Sequence, residues 1–220
     1  ACRVGDRGLT QLVSRYGLDT FSQCVRSIWD QSESLAREQV ASIKSGKYAA
    51  EAFFDSDGVD LSRPVPLKVK IEVAGSEMTI DFSEMSDQVP GSINSGESGA
   101  VAAARVAFKS LVSPFSPIDE GCFRPLKVVI PTGKILSATS PAPVGNWSRT
   151  LPTVIDLILR ALAPAMPHNI AAGHKGDMGG YAFFGTDPRT NKRFLCQTIM
   201  GGGWGARANT SNADSVPSRA

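Results

Sequence analysis

The sequence predicts an α+β fold of helices and largely antiparallel strands, in a fragment of a longer protein. Two patterns carry the prediction. Residues 67–83 alternate apolar and polar side chains with a period of two, while three other stretches repeat apolar residues at helical spacing. The composition agrees: 42% of the 220 residues are hydrophobic and 20% are charged. A disordered chain would show low hydrophobicity and a large net charge. Three segments follow from the patterns: a helical hairpin over 1–46, an α+β core over 47–200, and a glycine-rich loop with a polar tail over 201–220.

A short helix is expected from about Leu9 to Tyr16, ended by Gly17. A longer one follows over 20–46. Thr20 and Gln23 have the spacing of a capping box, and Val25, Ile28, Leu35 and Ile43 share an apolar face. Glu33 and Arg37 form an i,i+4 pair on the wet side, and Gly46 offers a stop. Tyr48 to Phe54 reads as a strand leading into a turn at Asp55–Gly58. Leu67, Val69, Ile71 and Val73 then alternate with polar residues, as do Met78, Ile80 and Phe82. With Ala74–Glu77 between them, these runs form an antiparallel hairpin with one buried face.

Asn94 and Glu97 precede a helix over 99–112, stopped by Pro114. Leu126 to Ile130 is a short strand. The helix over 150–163 opens with Pro152 in its first turn, where a missing N–H costs little. Its residues Val154, Ile155, Leu157, Ile158, Leu159 and Leu162 leave few polar sides, so it belongs in the core. Tyr181–Phe184 and Phe194–Ile199 form a last strand pair around a polar loop.

Several function classes are disfavoured. A net charge of +2 without a basic run argues against nucleic-acid binding. The longest apolar stretch, 154–166, contains Asp156, Arg160 and Pro164 and is too short to span a bilayer. Cys2, Cys24, Cys122 and Cys196 form no C-x-x-C pair, which favours a reducing, cytoplasmic setting over a disulfide scaffold or zinc site. The opening at Ala1 and the aperiodic polar tail from Asn209 read as a piece of a longer protein.

Candidate chemistry is sparse. Gly201-Gly-Gly-Trp-Gly-Ala-Arg207 follows a strand; such a run either brings backbone amides close to a ligand or forms a plain turn. It lacks the Lys-Ser/Thr ending of a P-loop. His174 and Asp177 could act as an acid/base or metal pair, although a solvated loop accounts for them as well. Cys122 lies between an acid and a base, yet a buried inert thiol explains it better. Asn146 and Arg149, before the buried helix, could reach an anionic group, or merely turn and cap the chain.

Taken in order, several segments resemble the hydantoinase B family, the large subunits of ATP-dependent hydantoinases and oxoprolinases. Ala1-Cys-Arg-Val-Gly5 followed by Leu12–Asp19 is similar to its "N-x-x-G … LxxRYGLD" opening, with Cys2 in place of the asparagine. Gly46-Lys-Tyr48 with Asp55–Gly58 resembles "G-x-Y … DDDG". Ile80-Asp-Phe82 through Gly91-Ser-Ile-Asn94 resembles "V-D-F … G-x-x-N", and Asp119–Pro125 resembles "N-x-G-C-x-R-P". Val144-Gly-Asn146 and Gly201–Arg207 complete the series. Glu84-Met85, Trp147–Leu151 and Gly176–Gly180 depart from the family's usual residues.

The resemblance implies cytoplasmic, ATP-driven hydrolysis of a cyclic amide such as hydantoin or 5-oxoproline, in a hetero-oligomer. An A-type subunit would bind ATP and form an activated, phosphorylated imidate, and this chain would help build the site of water attack. Any divalent metal would have its ligands outside this segment. Substrate contacts are expected from Asn146, Arg149, Gly201, Gly202, Gly203, Trp204 and Arg207. Two alternatives stand beside this reading: a subunit of an ATP-dependent ketone carboxylase, and a non-catalytic scaffold that docks the A-type subunit.

Overall fold

In the computed structural model, residues 2–145, 147–173, 179–200 and 205–206 are described. The chain opens with helix α1 (Cys2–Tyr16) and helix α2 (Leu18–Ser42). Both differ from the expected boundaries. The expected capping box is not formed, because α2 starts at Leu18 and Thr20 lies inside it. The break between the helices is Gly17, whose φ of 83° an L side chain would resist. The helix stops at Ser42, and Gly46 opens the next strand instead of capping it. The expected helical pair is present, but a single residue joins it and α1 buries no side chain. The two helices therefore do not bury a shared seam as a packed hairpin would.

The sheet rests on the strong alternation seen in the sequence. Strand β1 (Gly46–Phe54) pairs antiparallel with β2 (Val65–Ala74), and β2 pairs antiparallel with β3 (Glu77–Asp81). Val65, Leu67, Val69, Ile71 and Val73 all point into the core from β2, while the residues between them face out. The outer face carries ion pairs, with Lys68 bridging Glu51 and Glu84 and Lys70 also meeting Glu84.

The fourth strand, β4 (Leu126–Val129), joins β3 in parallel, giving the order β1-β2-β3-β4. The sheet is thus mixed at one edge. A parallel neighbour needs a crossover, and helix α3 (Glu97–Val112) lies in that connection.

Helix α3 packs through small residues: Ala100, Ala103, Ala104 and Ala107 are buried together with Phe108, Leu111 and Val112. Helix α4 (Trp147–Leu162) lies against α3, β1 and β2. It starts earlier than expected, so Pro152 sits inside it beyond the first turn. Val154, Leu157, Ile158, Ala161 and Leu162 are buried as the apolar run predicts. Among the described residues no helix is long and apolar enough to cross a membrane.

A separate two-stranded sheet follows, made of β5 (Gly179–Thr186) and β6 (Arg193–Met200), paired antiparallel as expected. Tyr181, Phe183, Phe184, Phe194 and Leu195 are all exposed on it.

Ile158 is fully buried on α4. Ile158→Ala should therefore cost about 2–5 kcal/mol, the range for large-to-small core changes. Denaturant melts check this; a loss below about 0.5 kcal/mol would be the behaviour of a surface position.

Candidate functional site

The loops after β3 and β4 meet the first turns of α3 and α4, and one side chain holds them together. Asn94 is 0% exposed. Its Oδ1 accepts from the Val89 N–H at 2.9 Å. Its Nδ2, with two hydrogens, lies within hydrogen-bond reach of three carbonyls, those of Val89 at 2.8 Å, Gly91 at 2.9 Å and Pro143 at 2.9 Å, so one N–H is shared between two of them. Only a carboxamide offers an acceptor and two donors at one site. Asn94 does not cap α3, whose N-cap is Gly96, without a side-chain cap.

Asp57 extends this network. Its buried carboxylate accepts from the Val59 and Asp60 N–H groups at 2.8 Å each, and from the Gly91 N–H at 3.0 Å. These backbone donors, Asp60's first and Val59's next, hold the Asp57 carboxyl below its ordinary range. Gly91 has to be glycine here, since a Cβ would lie 1.7 Å from the Asp57 carbonyl oxygen.

Further ties close the cluster. Ile93 bridges Val144, Gly145 N–H donates to the Ser92 carbonyl at 3.0 Å, and the Thr150 hydroxyl donates to the Ile93 carbonyl. Ser95 N–H donates to Ile135, and the Ser95 carbonyl accepts from Ala138. Beside this assembly lies a cavity of about 410 Å³ lined by Asp57, Asp60, Arg63, Asp87, Gln88 and Pro90, among others. Its volume falls within the range of small-molecule sites.

Of the residues expected to touch substrate, Arg149 is exposed on the first turn of α4, where its carbonyl accepts from the Thr153 hydroxyl. Asn146, His174, Asp177, Gly201, Gly202, Gly203, Trp204 and Arg207 lie outside the described residues. The far end of the glycine-rich run is described. Ala172 N–H donates to the Ala206 carbonyl at 2.8 Å, and a Cβ on Gly205 would come within 1.9 Å of the Ala172 oxygen. Position 173, one residue on, lies close to the Asp156 carboxylate of α4. Among the described residues, no group of three or more His, Cys, Asp or Glu side chains is gathered to hold a metal.

The segment around Cys122 has a mechanical role. Cys122 is buried; its thiol donates to the Pro117 carbonyl at 3.4 Å and its N–H donates to Asp119 at 3.2 Å. Arg124 reaches Asp30 and Glu33 on α2 at 2.8 Å each and lies over the Trp29 ring. Arg124 first, and Arg37 second, hold the Glu33 carboxyl below its usual value. This part of the family-like pattern clamps β4 to α2.

The network yields two expectations. Asn94→Ala should lower stability by roughly 2–4 kcal/mol, because several buried groups lose partners together. Asn94→Asp should be no milder, since a carboxylate has no hydrogen to give to the surrounding carbonyls. For Asp57, the folded pKa is depressed, so its contribution is present above the unfolded value near 3.8 and is lost as pH falls through the folded one. Protection factors for the Val59, Asp60 and Gly91 amides should therefore hold through mildly acidic pH and drop only below the ordinary carboxylate range. In Asp57→Asn that acid-side drop should vanish.

The sequence and fold have relatives. The family described as hydantoinase B/oxoprolinase matches residues 1–218. A protein of Pseudomonas sp. (strain NS671), provisionally named as the B-type subunit of a D-/L-hydantoinase, is 30% identical over 98% of this chain and 38% of its own length. The beta subunit of the Pseudomonas jessenii caprolactamase is 29% identical over 92% of this chain and 36% of its own. The solved ATP-dependent caprolactamase from that organism superposes with a TM-score of 0.85 at 25% identity, over 98% of this chain and 38% of that one. A nucleotide-free acetone carboxylase shares the fold, with a TM-score of 0.80 at 13% identity over 95% of this chain and 30% of that one. The chain thus spans well under half the length of these relatives. On a family match that runs nearly end to end, the chain belongs to the hydantoinase B/oxoprolinase family.

Proposed function

We propose that this chain is part of the B-type subunit of an ATP-dependent cyclic amidohydrolase, acting with an A-type, nucleotide-binding subunit in a cytoplasmic hetero-oligomer. The substrate class is a hydantoin- or 5-oxoproline-like cyclic amide. The observation that carries the reading is the match over 98% of the chain to the fold of an ATP-dependent caprolactamase. Family names among the relatives agree, since they include a B-type hydantoinase subunit, a beta subunit of caprolactamase and a 5-oxoprolinase of Saccharomyces cerevisiae.

The division of labour follows from what the chain offers. ATP would be bound and used on the A-type subunit, which supplies amide activation. This chain contributes a stiff wall: the Asn94 and Asp57 network fixes the backbone on which the start of α4 is presented. Arg149, exposed on that turn, would give its planar fork to a carboxylate, phosphate or imide group. Asn146, Gly201, Gly202, Gly203, Trp204 and Arg207 are proposed as its companions at the substrate, with His174 and Asp177 as candidates for proton transfer. The likeness to acetone carboxylase, at 13% identity, speaks to the fold alone.

The test is ATP hydrolysis by the co-purified A- and B-type subunits. Hydantoin or 5-oxoproline should stimulate it and be consumed; stimulation only by a ketone with bicarbonate would overturn the reading. In that complex, Arg149→Lys and Arg207→Lys should each lower kcat/KM by about tenfold or more, because a point charge replaces a two-pronged contact. Gly202→Val should reduce turnover more than it lowers Tm. Normal turnover in all three variants would remove these positions from the site.

A further inference from the structure

Three stretches carry the candidate chemistry in the sequence: 144–149, 174–177 and 201–207. The described residues beside each of them meet at helix α4. Gly145 is bonded to the strap before α3, and Thr150 ties the first turn of α4 to the same strap through the Ile93 carbonyl. After α4 the chain returns to it: Ile170 is buried, and a Cβ on Gly173 would lie 3.5 Å from Oδ2 of the Asp156 carboxylate. The end of the glycine-rich run joins here, since the Ala172 N–H donates to the Ala206 carbonyl at 2.8 Å. Gly205 admits no side chain at this approach, because its Cβ would stand 1.9 Å from the Ala172 carbonyl oxygen.

Asp156 is therefore the carboxylate of α4 beside which the 172–173 strap lies, with the end of the glycine-rich run bonded to that strap. It shares a helix face with Arg149. The two are seven residues apart, which is two turns and about 10 Å along the axis, and Thr153 lies between them on the same face. Val154, Leu157 and Ile158 point the other way, into the core. Arg149 is exposed and Asp156 half-buried. A cation and an anion thus stand two turns apart on one face. A cyclic amide has use for both, since its carbonyl or carboxylate oxygens take N–H donors and its ring N–H takes an acceptor. A carboxylate has about four acceptor sites, so a bond to the ring N–H is compatible with the contact that Asp156 makes within the chain.

We infer that Asp156 is a substrate contact: its carboxylate accepts the ring N–H of a cyclic amide whose oxygens face Arg149. The inference rests on the substrate reading proposed above and adds to it the residue that selects for an unsubstituted amide nitrogen. A hydrogen bond to a carboxylate is of the stronger kind. A methyl group on that nitrogen would remove the donor and crowd the acceptor, which is how one contact discriminates between two otherwise equal rings.

The experiment uses the co-purified complex of complete A- and B-type subunits. The probes are whichever of hydantoin and 5-oxoproline stimulates ATP hydrolysis, and the same compound methylated on the nitrogen of the bond that is cleaved. Binding of each is read as its KM or, for a compound that is not turned over, as its inhibition constant. The unaltered complex should bind the N–H compound about tenfold or more tightly than the methylated one. Asp156→Ala should weaken binding of the N–H compound by about tenfold or more and change that of the methylated compound by less than about twofold, so that the preference is lost. Asp156→Asn keeps the size and one uncharged acceptor; it should fall between the two, and it carries the comparison if the alanine variant does not fold. Equal weakening of both compounds would make Asp156 a residue that only shapes the chain, and unchanged binding of both would place it away from the substrate; either result overturns the inference, as does an unaltered complex without preference for the N–H compound. If neither hydantoin nor 5-oxoproline stimulates ATP hydrolysis, the substrate reading fails and takes this assignment with it.

Discussion

Asn94 is the constraint on which the loop architecture depends. A buried carboxamide must place every donor and acceptor, because an unpaired polar group away from water is costly. Asn94 meets that demand only if residues 89, 91 and 143 stand where they do. Satisfying one side chain therefore fixes the strap before α3 relative to the strap before α4. Asp57 adds a second demand through Gly91, and the close approach there admits no side chain on residue 91. The first turns of α3 and α4 are held in place as a consequence, independent of how well either helix is capped.

Charge is used in this protein mainly to shape loops. Buried Asp57 and Lys109 find backbone and hydroxyl partners instead of opposite charges. The ion pairs proper lie outside, along the wet face of the sheet and across the Arg124 clamp to α2. Exposed pairs of this kind contribute little stability each, so the core depends on the apolar layer between the sheet and helices α3 and α4. Alanines along α3 let that helix approach closely, and the isoleucine and leucines of α4 fill the remaining space.

The apolar surface of the molecule is unevenly distributed. On the β5–β6 hairpin, Tyr181, Phe183 and Phe194 share one face by register, and Phe184 and Leu195 share the other. An isolated two-stranded hairpin is marginal in water, and one with aromatic residues on both faces is suited to being covered on both. Helix α1, with Val4, Leu9, Leu12 and Tyr16 exposed, is similar. Exposed apolar side chains grouped in this way are suited to being covered.

The β1, β2 and β3 strands, the buried character of α4 and the Glu33–Arg37 pair were legible in the sequence, because each rests on local periodicity or spacing. The family was legible too, from short motifs kept in order along the chain. Helix ends were not: Thr20, Gly46 and Pro152 carry sound local signals, yet packing of the flanking chain placed the boundaries elsewhere. Nor could local pattern reveal that β4 lies parallel to β3, since pairing direction is set by the crossover. The assignment of Asn94 is the clearest case. In the sequence it stands at a capping distance from a helix, and nothing local says that residue 143 will be its partner. Contacts over 34 and 49 residues, from Asp57 to Gly91 and from Asn94 to Pro143, exist only once the sheet and its helices have brought those loops together. Sequence by itself determined which residues are apolar, where the chain turns and which family it resembles. Tertiary structure decided which polar groups are buried against which, because hydrogen bonding in the interior is settled by proximity in space and not by spacing along the chain.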